Sequence, residues 1–362
     1  MHPLFQPVNI RDLHIPNRVW LPPMCQYQVD TRDGLVNDWH LMHYGSMAAG
    51  GFGLIIAEAT AVAPEGRISD RDAGLYSYEH VLAWHRVTEF VHAQGGLIAV
   101  QLAHAGRKAS THAWLPGFPE GSLSEAEGGW ETVAPSAVAM DGLTEPIEMS
   151  HDQTLALPGQ FADAARHAVA AGFDAVEIHA AHGYLLHQFL SPLSNVRIDG
   201  YGGQFADRIR IVLDVVDAVR DAIPEGMPLI VRVSATDWVD DRPSWDVPQT
   251  ISLAEELGRR GVDVISVSSG GLVPAEIPVA PDYQTALAAE IRRHTGLFTA
   301  GVGLITEPAQ AAGYLERGEL DAVLIGRAAL RDPHWPQRAA HELGLSREEI
   351  NYAPSYYRGA WR

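Results

Sequence analysis

Two histidines and a tyrosine lie close together in the segment VEIHAAHGYL, directly after an alternating apolar run. His179 and His182 are followed closely by Tyr184. Two neutral imidazoles can ligate zinc, but a hydrolytic zinc site needs a third protein ligand and an open position. The same imidazoles can instead donate hydrogen bonds to an oxygen on which negative charge develops, with the tyrosine as proton donor. A third interpretation is a buried pair whose polar atoms are satisfied by the backbone.

A second histidine pair bears on the metal interpretation. His40 and His43 in WHLMHYG have the same spacing and begin an apparent helix, so one of them could supply a third ligand. Glu58 and Asp237 are the conspicuous carboxylates at the ends of apolar runs. Because so few carboxylates accompany the histidines, the sequence favours the hydrogen-bonding interpretation over a metal site.

Four further residues with polar or polarizable side chains occupy apolar runs or their ends. Arg232 interrupts LIVRVSA, and a buried guanidinium needs an acceptor, either a structural carboxylate or an electron-rich ligand. Gln101 offers an amide donor and a carbonyl acceptor that suit the edge of a heterocycle. Cys25 is either a small hydrophobic residue or a thiol that touches a cofactor, and Tyr27 beside it could bind a ligand oxygen.

Glycines end the last two apolar runs. Gly303 lies in the segment GVGLITEP, and Gly326 and Arg327 lie in the segment IGRAALRDP. Glycine lets backbone N–H groups approach an anion, and a helix starting near Pro308 would add a partial positive charge. The alternative is that these glycines only shape turns, but the adjacent arginine favours an anion site.

The elements that must position these residues alternate along the chain. Eight short strands are predicted at 18–23, 54–60, 97–103, 175–180, 229–235, 264–269, 298–303 and 322–327, with helical patterns between most of them. Strand-then-helix repetition implies parallel pairing, and eight units predict an α/β fold of the (β/α)8 TIM-barrel type, with a doubly wound open sheet as the alternative. In a barrel the candidate residues fall at the carboxyl ends of the strands, where catalytic groups meet.

Two segments depart from the strand–helix repeat. The stretch 104–150 after the third strand is too long for an ordinary connection and is expected to form a lid over the barrel mouth. The amino-terminal residues predict a short hairpin that plugs the opposite end of the barrel. Since no linker or low-complexity segment is visible, residues 1–362 are predicted to form a single domain.

Composition narrows the function classes. The 362 residues carry a net charge of −19, which disfavours nucleic acid as a partner. The single cysteine excludes an internal disulfide framework and iron–sulfur clusters held by several thiolates. No basic-then-apolar leader or long apolar run is seen, so we expect a cytoplasmic protein that does not contact the membrane.

Taken together and in order, these motifs resemble the Old Yellow Enzyme family of FMN-dependent ene reductases, in its thermophilic-like or bacterial xenobiotic-reductase branch. The resemblance spans essentially the whole chain. It rests on PPMCQY, EATAVAPEGRIS, QLAHAGRK, EIHAAHGYLLHQFLSPLSNVRIDGYGG, VRVS and IGRAALRDP. Any one of these motifs is weak evidence, whereas the ordered series is specific.

The resemblance implies an FMN over the barrel mouth, bound non-covalently. Arg232 would lie near the flavin N1 and O2 atoms, and the Gly303, Gly326 and Arg327 region would hold the phosphate. The residues expected along the flavin ring are Pro22, Pro23, Met24, Cys25, Ala59 and Gln101.

The resemblance also implies a ping-pong reaction. NADPH, with NADH as a weaker donor, would deliver hydride to flavin N5, which then attacks an alkene activated by a carbonyl or nitro group. His179 and His182 would hold the activating oxygen with help from Tyr27, and Tyr184 would protonate the alkene. Because one site serves both half-reactions, no Rossmann fold is required.

The resemblance also predicts an oligomeric state, and two other functions stay open. The resemblance implies a homodimer or a dimer of dimers, with Arg358 in YYRGAWR as a candidate to enter a neighbouring active site, although the tail is longer than the family pattern. Lys108 matches a family lysine near the mouth, or is a solvated surface lysine. The alternative functions are a metal-dependent hydrolase or a phosphate-binding isomerase, both flavin-free barrels.

Overall fold

Eight parallel strands close into a barrel in a computed structural model that describes residues 2–361. The order around the barrel is β3-β4-β5-β8-β9-β10-β11-β12, with β12 pairing back onto β3. Each predicted strand is present and the barrel is closed. The (β/α)8 prediction is therefore confirmed, and the alternative prediction of an open sheet was wrong. The barrel strands are β3 (Val19–Leu21), β4 (Leu54–Ala61), β5 (Ile98–Ala103), β8 (Ala175–Ala180), β9 (Leu229–Ser234), β10 (Val264–Ser268), β11 (Phe298–Gly301) and β12 (Ala322–Leu324).

Helices follow most of the barrel strands. Three of them are followed by a glycine with a positive φ, the left-handed conformation that ends a helix before the next strand: Gly172 at 85°, Gly261 at 79° and Gly318 at 68°. The helices are α1 (Asp38–Ala49), α2 (Tyr78–Ala93), α3 (His151–Ala170), α4 (Leu185–Leu190), α5 (Phe205–Arg208), α6 (Arg210–Ala222), α7 (Val247–Arg259), α8 (Thr285–Thr295), α9 (Pro308–Glu316), α10 (Arg327–Arg331) and α11 (Trp335–Glu342).

Side chains alternate between the two faces of each barrel strand. On β8, Val176 and Ile178 belong to the large core between barrel and helices, while Ala175 belongs to a smaller cluster inside the barrel. The same alternation turns Glu177 and His179 inwards. Apolar residues therefore fill the lower interior, and polar ones occupy the layers above it.

The amino-terminal hairpin closes the lower end of the barrel. Strands β1 (Val8–Ile10) and β2 (Leu13–Ile15) pair antiparallel, and Ile10 and Ile15 pack into the inner apolar cluster. The Arg11 Nε donates to Asp263 Oδ1 at 2.7 Å, which ties the turn to the start of β10. The predicted plug is confirmed.

The long connection after β5 is ordered. Residues 104–150, here called the lid, contain a two-stranded sheet of β6 (Val133–Ala134) and β7 (Ile147–Glu148) and two short 3-10 turns. Part of the lid lies over the barrel mouth and lines a cavity with Tyr27 and Tyr184, as predicted. Within residues 2–361, none of the helices has the length and apolar character needed to cross a membrane.

Candidate active site

The two histidines converge at the mouth. His179 is the next-to-last residue of β8, and the following turn holds His182 at a φ of 57°, a conformation that non-glycine residues rarely adopt. The backbone N–H of His182 donates to Ser234 Oγ at 2.9 Å, which fixes this turn against β9. His179 Nε2 and His182 Nδ1 lie 3.4 Å apart, so both nitrogens face the same point.

Both imidazoles are neutral near pH 7. Burial, and then the positive charge of Arg232, holds the pKa of each histidine well below its usual range. The His182 Nε2 lies 2.7 Å from Ser268 Oγ at the end of β10. His179 Nδ1 is buried and has no hydrogen-bond partner among residues 2–361. The core interpretation, in which the backbone satisfies the pair, was therefore wrong.

Tyr184 stands beside the pair at the start of α4. Its ring centroid is 5.0 Å from that of His179. Burial, followed by the nearby Cys25 and Asp72, raises the pKa of the Tyr184 phenol well above its usual range, so the phenol keeps its proton near neutrality.

Lys108 places its ammonium against the face of the Tyr184 ring. Its Nζ lies 4.8 Å from the Tyr184 ring centroid and donates to the backbone carbonyls of His182 at 2.8 Å and Gly271 at 3.1 Å. Burial, and then Arg107, lowers the pKa of Lys108 to about 8. The surface-lysine interpretation was wrong, because the ammonium ties the turn after β8 to the loop after β10.

The loop after β3 carries Cys25 and Tyr27 into the mouth. Glu58 holds this loop by accepting the Gln26 backbone N–H at 2.8 Å. Burial raises the pKa of the Cys25 thiol, as do Asp72 and Glu58, and burial also raises the pKa of Tyr27. Both groups are therefore protonated and neutral near pH 7. Cys25 and Tyr184 pack against the same small cluster, which includes Ala59.

Arg232, Gln101 and Glu177 form a polar layer beneath the histidines. Gln101 Nε2 donates to Glu177 Oε1 at 2.7 Å, and both residues are buried. Arg232 pairs with His179 in the strand register; its Nε is buried and has no hydrogen-bond partner among residues 2–361. Burial raises the pKa of Glu177 to about 7, against the opposing effects of Arg232 and Gln101. This layer has free donors and acceptors for a heterocycle above it.

The glycine after β12, Gly326, faces the loop after β3, whereas Gly303 after β11 lies against Gln284. A Cβ placed on Gly326 would lie 3.6 Å from Pro22 Cγ and 3.8 Å from Met24 Sδ, so these residues are neighbours. Gly303 has a φ of 131°, which L-residues rarely adopt. Pro308 begins α9 as predicted. The side chain of the exposed Arg327 makes no hydrogen bond or ion pair with residues 2–361, which leaves its guanidinium available to an anion.

The residues considered for a metal are engaged elsewhere. His40 Nε2 lies 3.2 Å from Glu58 Oε1, behind the loop after β3. Asp237 Oδ1 lies 3.0 Å from His187 Nε2, and both side chains are fully buried. No group of three or more His, Cys, Asp and Glu side chains within residues 2–361 is arranged to hold a metal ion.

A cavity of about 560 Å³ opens above Tyr27 and Tyr184. Its other walls come from the lid, which includes Lys108, and from Ile68. Arg358 does not line this cavity, because it lies exposed on the 3-10 turn Pro354–Gly359 near the carboxyl terminus.

Three functional groups were missed by reasoning from the sequence. Ser268 and Gln284 form a chain behind His182, with Ser268 Oγ 3.1 Å from Gln284 Oε1. Glu177 was detectable, because it lies two residues before His179 and strand alternation places both on one face. No local signal identified the serine or Gln284, which reach the site from different elements.

Comparison with known proteins gives this geometry a family. Residues 3–346 match the NADH:flavin oxidoreductase / NADH oxidase family. NADPH dehydrogenase of Geobacillus thermodenitrificans is 43% identical over 360 residues, covering 99% of this chain and 98% of that protein. NADPH dehydrogenase of Bacillus subtilis is also 43% identical, over 359 residues and 99% of each chain.

Solved structures show the same fold. Morphinone reductase in complex with tetrahydroNAD superposes with a TM-score of 0.77 at 28% identity, covering 98% of this chain and 93% of that one. An Old Yellow Enzyme homologue from Zymomonas mobilis gives a TM-score of 0.77 at 28% identity over 99% of each chain. Because these relatives are flavin-dependent oxidoreductases, the alternatives of a flavin-free hydrolase or isomerase were wrong. The chain belongs to the Old Yellow Enzyme family of flavin-dependent NAD(P)H oxidoreductases.

Proposed function

We propose that this chain is an FMN-dependent NADPH:activated-alkene oxidoreductase that reduces the C=C bond of α,β-unsaturated carbonyl or nitro compounds. The observation that carries the proposal is the convergence of His179 Nε2 and His182 Nδ1, 3.4 Å apart, next to a protonated Tyr184. Two neutral donors and an adjacent acid suit a reaction in which one oxygen gains negative charge while a carbon gains a proton. NADPH as donor is supported by the relatives named NADPH dehydrogenase.

The residues at the mouth fit FMN. Arg232 has a buried Nε without a partner, and Gln101, whose Nε2 is engaged by Glu177, can offer its carbonyl to a ring N–H. The residues that we assign to FMN are Pro22, Pro23, Met24, Cys25, Ala59, Gln101, Arg232, Gly303, Gly326 and Arg327. When bound, the flavin would supply the reversible hydride acceptor and donor that the side chains lack.

The histidine pair positions the substrate. An oxygen that approaches His179 Nε2 and His182 Nδ1 from the open side of the mouth can accept from both in place of their direct contact at 3.4 Å, provided that His182 carries its proton on Nδ1. The Ser268 hydroxyl donates to Gln284 Oε1 at 3.1 Å and so accepts from His182 Nε2–H in this arrangement; the Nδ1–H tautomer forms when that hydroxyl turns and donates instead to His182 Nε2, 2.7 Å away. Because both rings are neutral, their N–H dipoles polarise the C=O or nitro group without transferring a proton. Tyr27, which is buried and protonated, assists from the opposite wall.

Tyr184 supplies the proton. Its raised pKa keeps the phenol protonated across the neutral range, and transfer to the substrate carbon becomes favourable only as that carbon gains electron density. Tyr184 therefore keeps its proton until hydride has been delivered to the alkene.

Stopped-flow kinetics test the proposal. The holoenzyme should be yellow, release FMN on denaturation, and be reduced by NADPH and reoxidised by an enone. Tyr184→Phe should leave flavin reduction near normal and slow reoxidation by the enone by about 10² or more. A colourless protein that FMN cannot reconstitute would overturn the proposal, and equal losses in both half-reactions would remove Tyr184 from the role of proton donor.

We also propose a homodimer, or a dimer of dimers, in which Arg358 enters the neighbouring active site. Its support is the exposure of Arg358 together with the flanking Tyr356 and Tyr357. Arg358→Ala should raise the KM for the alkene while the oligomer measured by light scattering persists; an unchanged KM would contradict the contribution of this arginine.

A further inference from the structure

The cavity above Tyr27 and Tyr184 is much larger than the reacting part of a small enone. Its volume of about 560 Å³ lies within the range of sites that enclose drug-sized ligands. Tyr184, the proposed proton donor, forms part of the wall, so the cavity is continuous with the place where the reacting carbon must lie. That carbon is the α-carbon of the alkene, and a substituent on the β-carbon, one bond away, can extend from there into the space under the lid.

The lid gives this space an apolar wall. Trp114, Leu115, Phe118, Met140 and Leu143 line it. Trp114 is 79% exposed, although it faces the cavity and not a packed core. A large aromatic side chain left open beside a binding site gains from contact with an apolar ligand, because that contact removes its surface from water.

The charges of the cavity wall select against anions. Lys108 is the one Lys or Arg among the residues that line the cavity, and its ammonium is engaged by two backbone carbonyls. Glu120 and Asp141 also line the cavity; both are exposed, and neither forms a salt bridge among residues 2–361. A carboxylate on the ligand would meet these like charges without a free cation to offset them.

We infer that the lid forms a subsite for a bulky, uncharged apolar substituent, aromatic or polycyclic, on the β-carbon side of an activated alkene. The inference rests on the proposed function and names the substrate class of the same site. Small enones react at the histidine pair without using the lid. Larger ones gain their additional transition-state binding from Trp114 and its apolar neighbours.

A pair of enones tests the subsite. The probes are 3-penten-2-one and the same ketone carrying a biphenyl group in place of the terminal methyl. Trp114→Ala should lower kcat/KM for the biphenyl ketone about tenfold and leave that for 3-penten-2-one within about twofold. The matched control is Tyr78→Ala, which removes another largely exposed aromatic side chain that does not line the cavity and should change neither value. Equal effects of Trp114→Ala on both ketones would overturn the subsite.

A charged analogue tests the selection against anions. The biphenyl ketone with a terminal carboxylate should react at least about fivefold more slowly than the neutral ketone. Replacing Glu120 by Gln together with Asp141 by Asn should remove most of that difference without affecting the neutral ketone. Wild-type enzyme that prefers the carboxylate would contradict the inference.

Failure of the proposed function has a separate signature. If the flavin reduced by NADPH is not reoxidised even by 3-penten-2-one, the proposed function fails. The subsite is then tested by titrating the oxidised holoenzyme with the saturated biphenyl ketone. The change in flavin absorbance measures the binding. A Kd that Trp114→Ala does not raise would overturn the subsite independently of turnover.

Discussion

The Ser268 hydroxyl oxygen lies 2.7 Å from His182 Nε2, at the end of β10, which β9 separates from the strand that carries His179. Burial, and then Arg232, keeps the pKa of His182 well below its usual range, so the ring carries one proton. The one Ser268 hydroxyl proton is donated to Gln284 Oε1 at 3.1 Å, which lets the serine accept from His182 Nε2–H; if the hydroxyl turns and donates to Nε2 instead, the ring proton moves to Nδ1, the nitrogen that faces His179. One hydroxyl on β10 can therefore decide whether the pair presents one donor or two to a substrate oxygen.

Ser268→Ala should weaken the binding of an oxyanion. Without the hydroxyl, His182 distributes its proton between both nitrogens and loses a hydrogen bond of about 1 kcal/mol. We expect the Kd of a phenolate such as para-nitrophenolate to rise about fivefold while FMN affinity stays unchanged. Ser269→Ala is the matched control, since Ser269 Oγ donates to Gln284 Oε1 at 2.9 Å and makes no hydrogen bond to His182. Equal effects of the two substitutions would contradict tautomer control.

Glu177 should make stability depend on pH. Burial raises its pKa to about 7, so the folded protein holds a proton that the unfolded chain has lost. The stability contributed by this protonation is fully present below the unfolded pKa and is lost as pH rises through about 7. In flavin-depleted protein, the free energy of unfolding of wild type relative to Glu177→Gln should fall by about 2 kcal/mol between pH 5 and pH 8. Urea titrations measure this difference.

The exposed Glu145 provides the control for that experiment. Glu145→Gln should track wild type across the same pH range. A constant difference between wild type and Glu177→Gln would mean that Glu177 is ionised throughout, held by Arg232 more strongly than burial opposes it.

The barrel was predictable because its determinants are local. Strand runs, helical periodicity and helix-ending glycines such as Gly172 each depend on a few neighbouring residues, and parallel strands then bring all their carboxyl ends to one face. His179, Arg232 and Gln101 could therefore be assigned to one mouth before any contact was known. The eight units favoured a barrel but also fitted an open sheet, and only the pairing of β12 with β3 shows that the barrel closes; the long stretch after the third strand predicted the lid.

The direction of individual side chains was less predictable. Glu58 ends up facing α1 and the loop after β3, because the pairing of β4 with β5 shifts register between Ala57 and Ala59. That irregularity follows from packing between strands, which no local pattern records. Lys108 was ambiguous for the same reason, since its two carbonyl acceptors belong to loops 74 and 163 residues away in the chain.

Cys25→Ala should change the flavin potential more than flavin binding. The thiol is neutral, because burial, Asp72 and Glu58 raise its pKa, so removal of the side chain removes a polarizable, electron-rich sulfur and no formal charge. We expect a midpoint potential roughly 10–30 mV more positive, which corresponds to about 1 kcal/mol for a two-electron couple. Spectroelectrochemical titration gives the potential, and fluorescence of released FMN gives its Kd. A weakened Kd with an unchanged potential would assign Cys25 a packing role only.

Lys108 should make the rate of the alkene half-reaction fall at alkaline pH. Its ammonium lies 4.8 Å from the Tyr184 ring centroid and stabilises the negative charge that grows on the phenol as it releases its proton. Burial, and then Arg107, lowers the pKa of Lys108 to about 8, so this cation is present below pH 8 and disappears above it. The rate of flavin reoxidation by an enone should therefore fall about three- to tenfold as pH rises through 8, while reduction by NADPH does not follow the same curve. Lys108→Met should be slow and flat from pH 6 to pH 9, and Lys108→Arg, which stays charged, should remain fast above pH 8. An alkaline limb that persists in Lys108→Met would assign that titration to another group and leave Lys108 as a structural tie between the loops that carry His182 and Gly271.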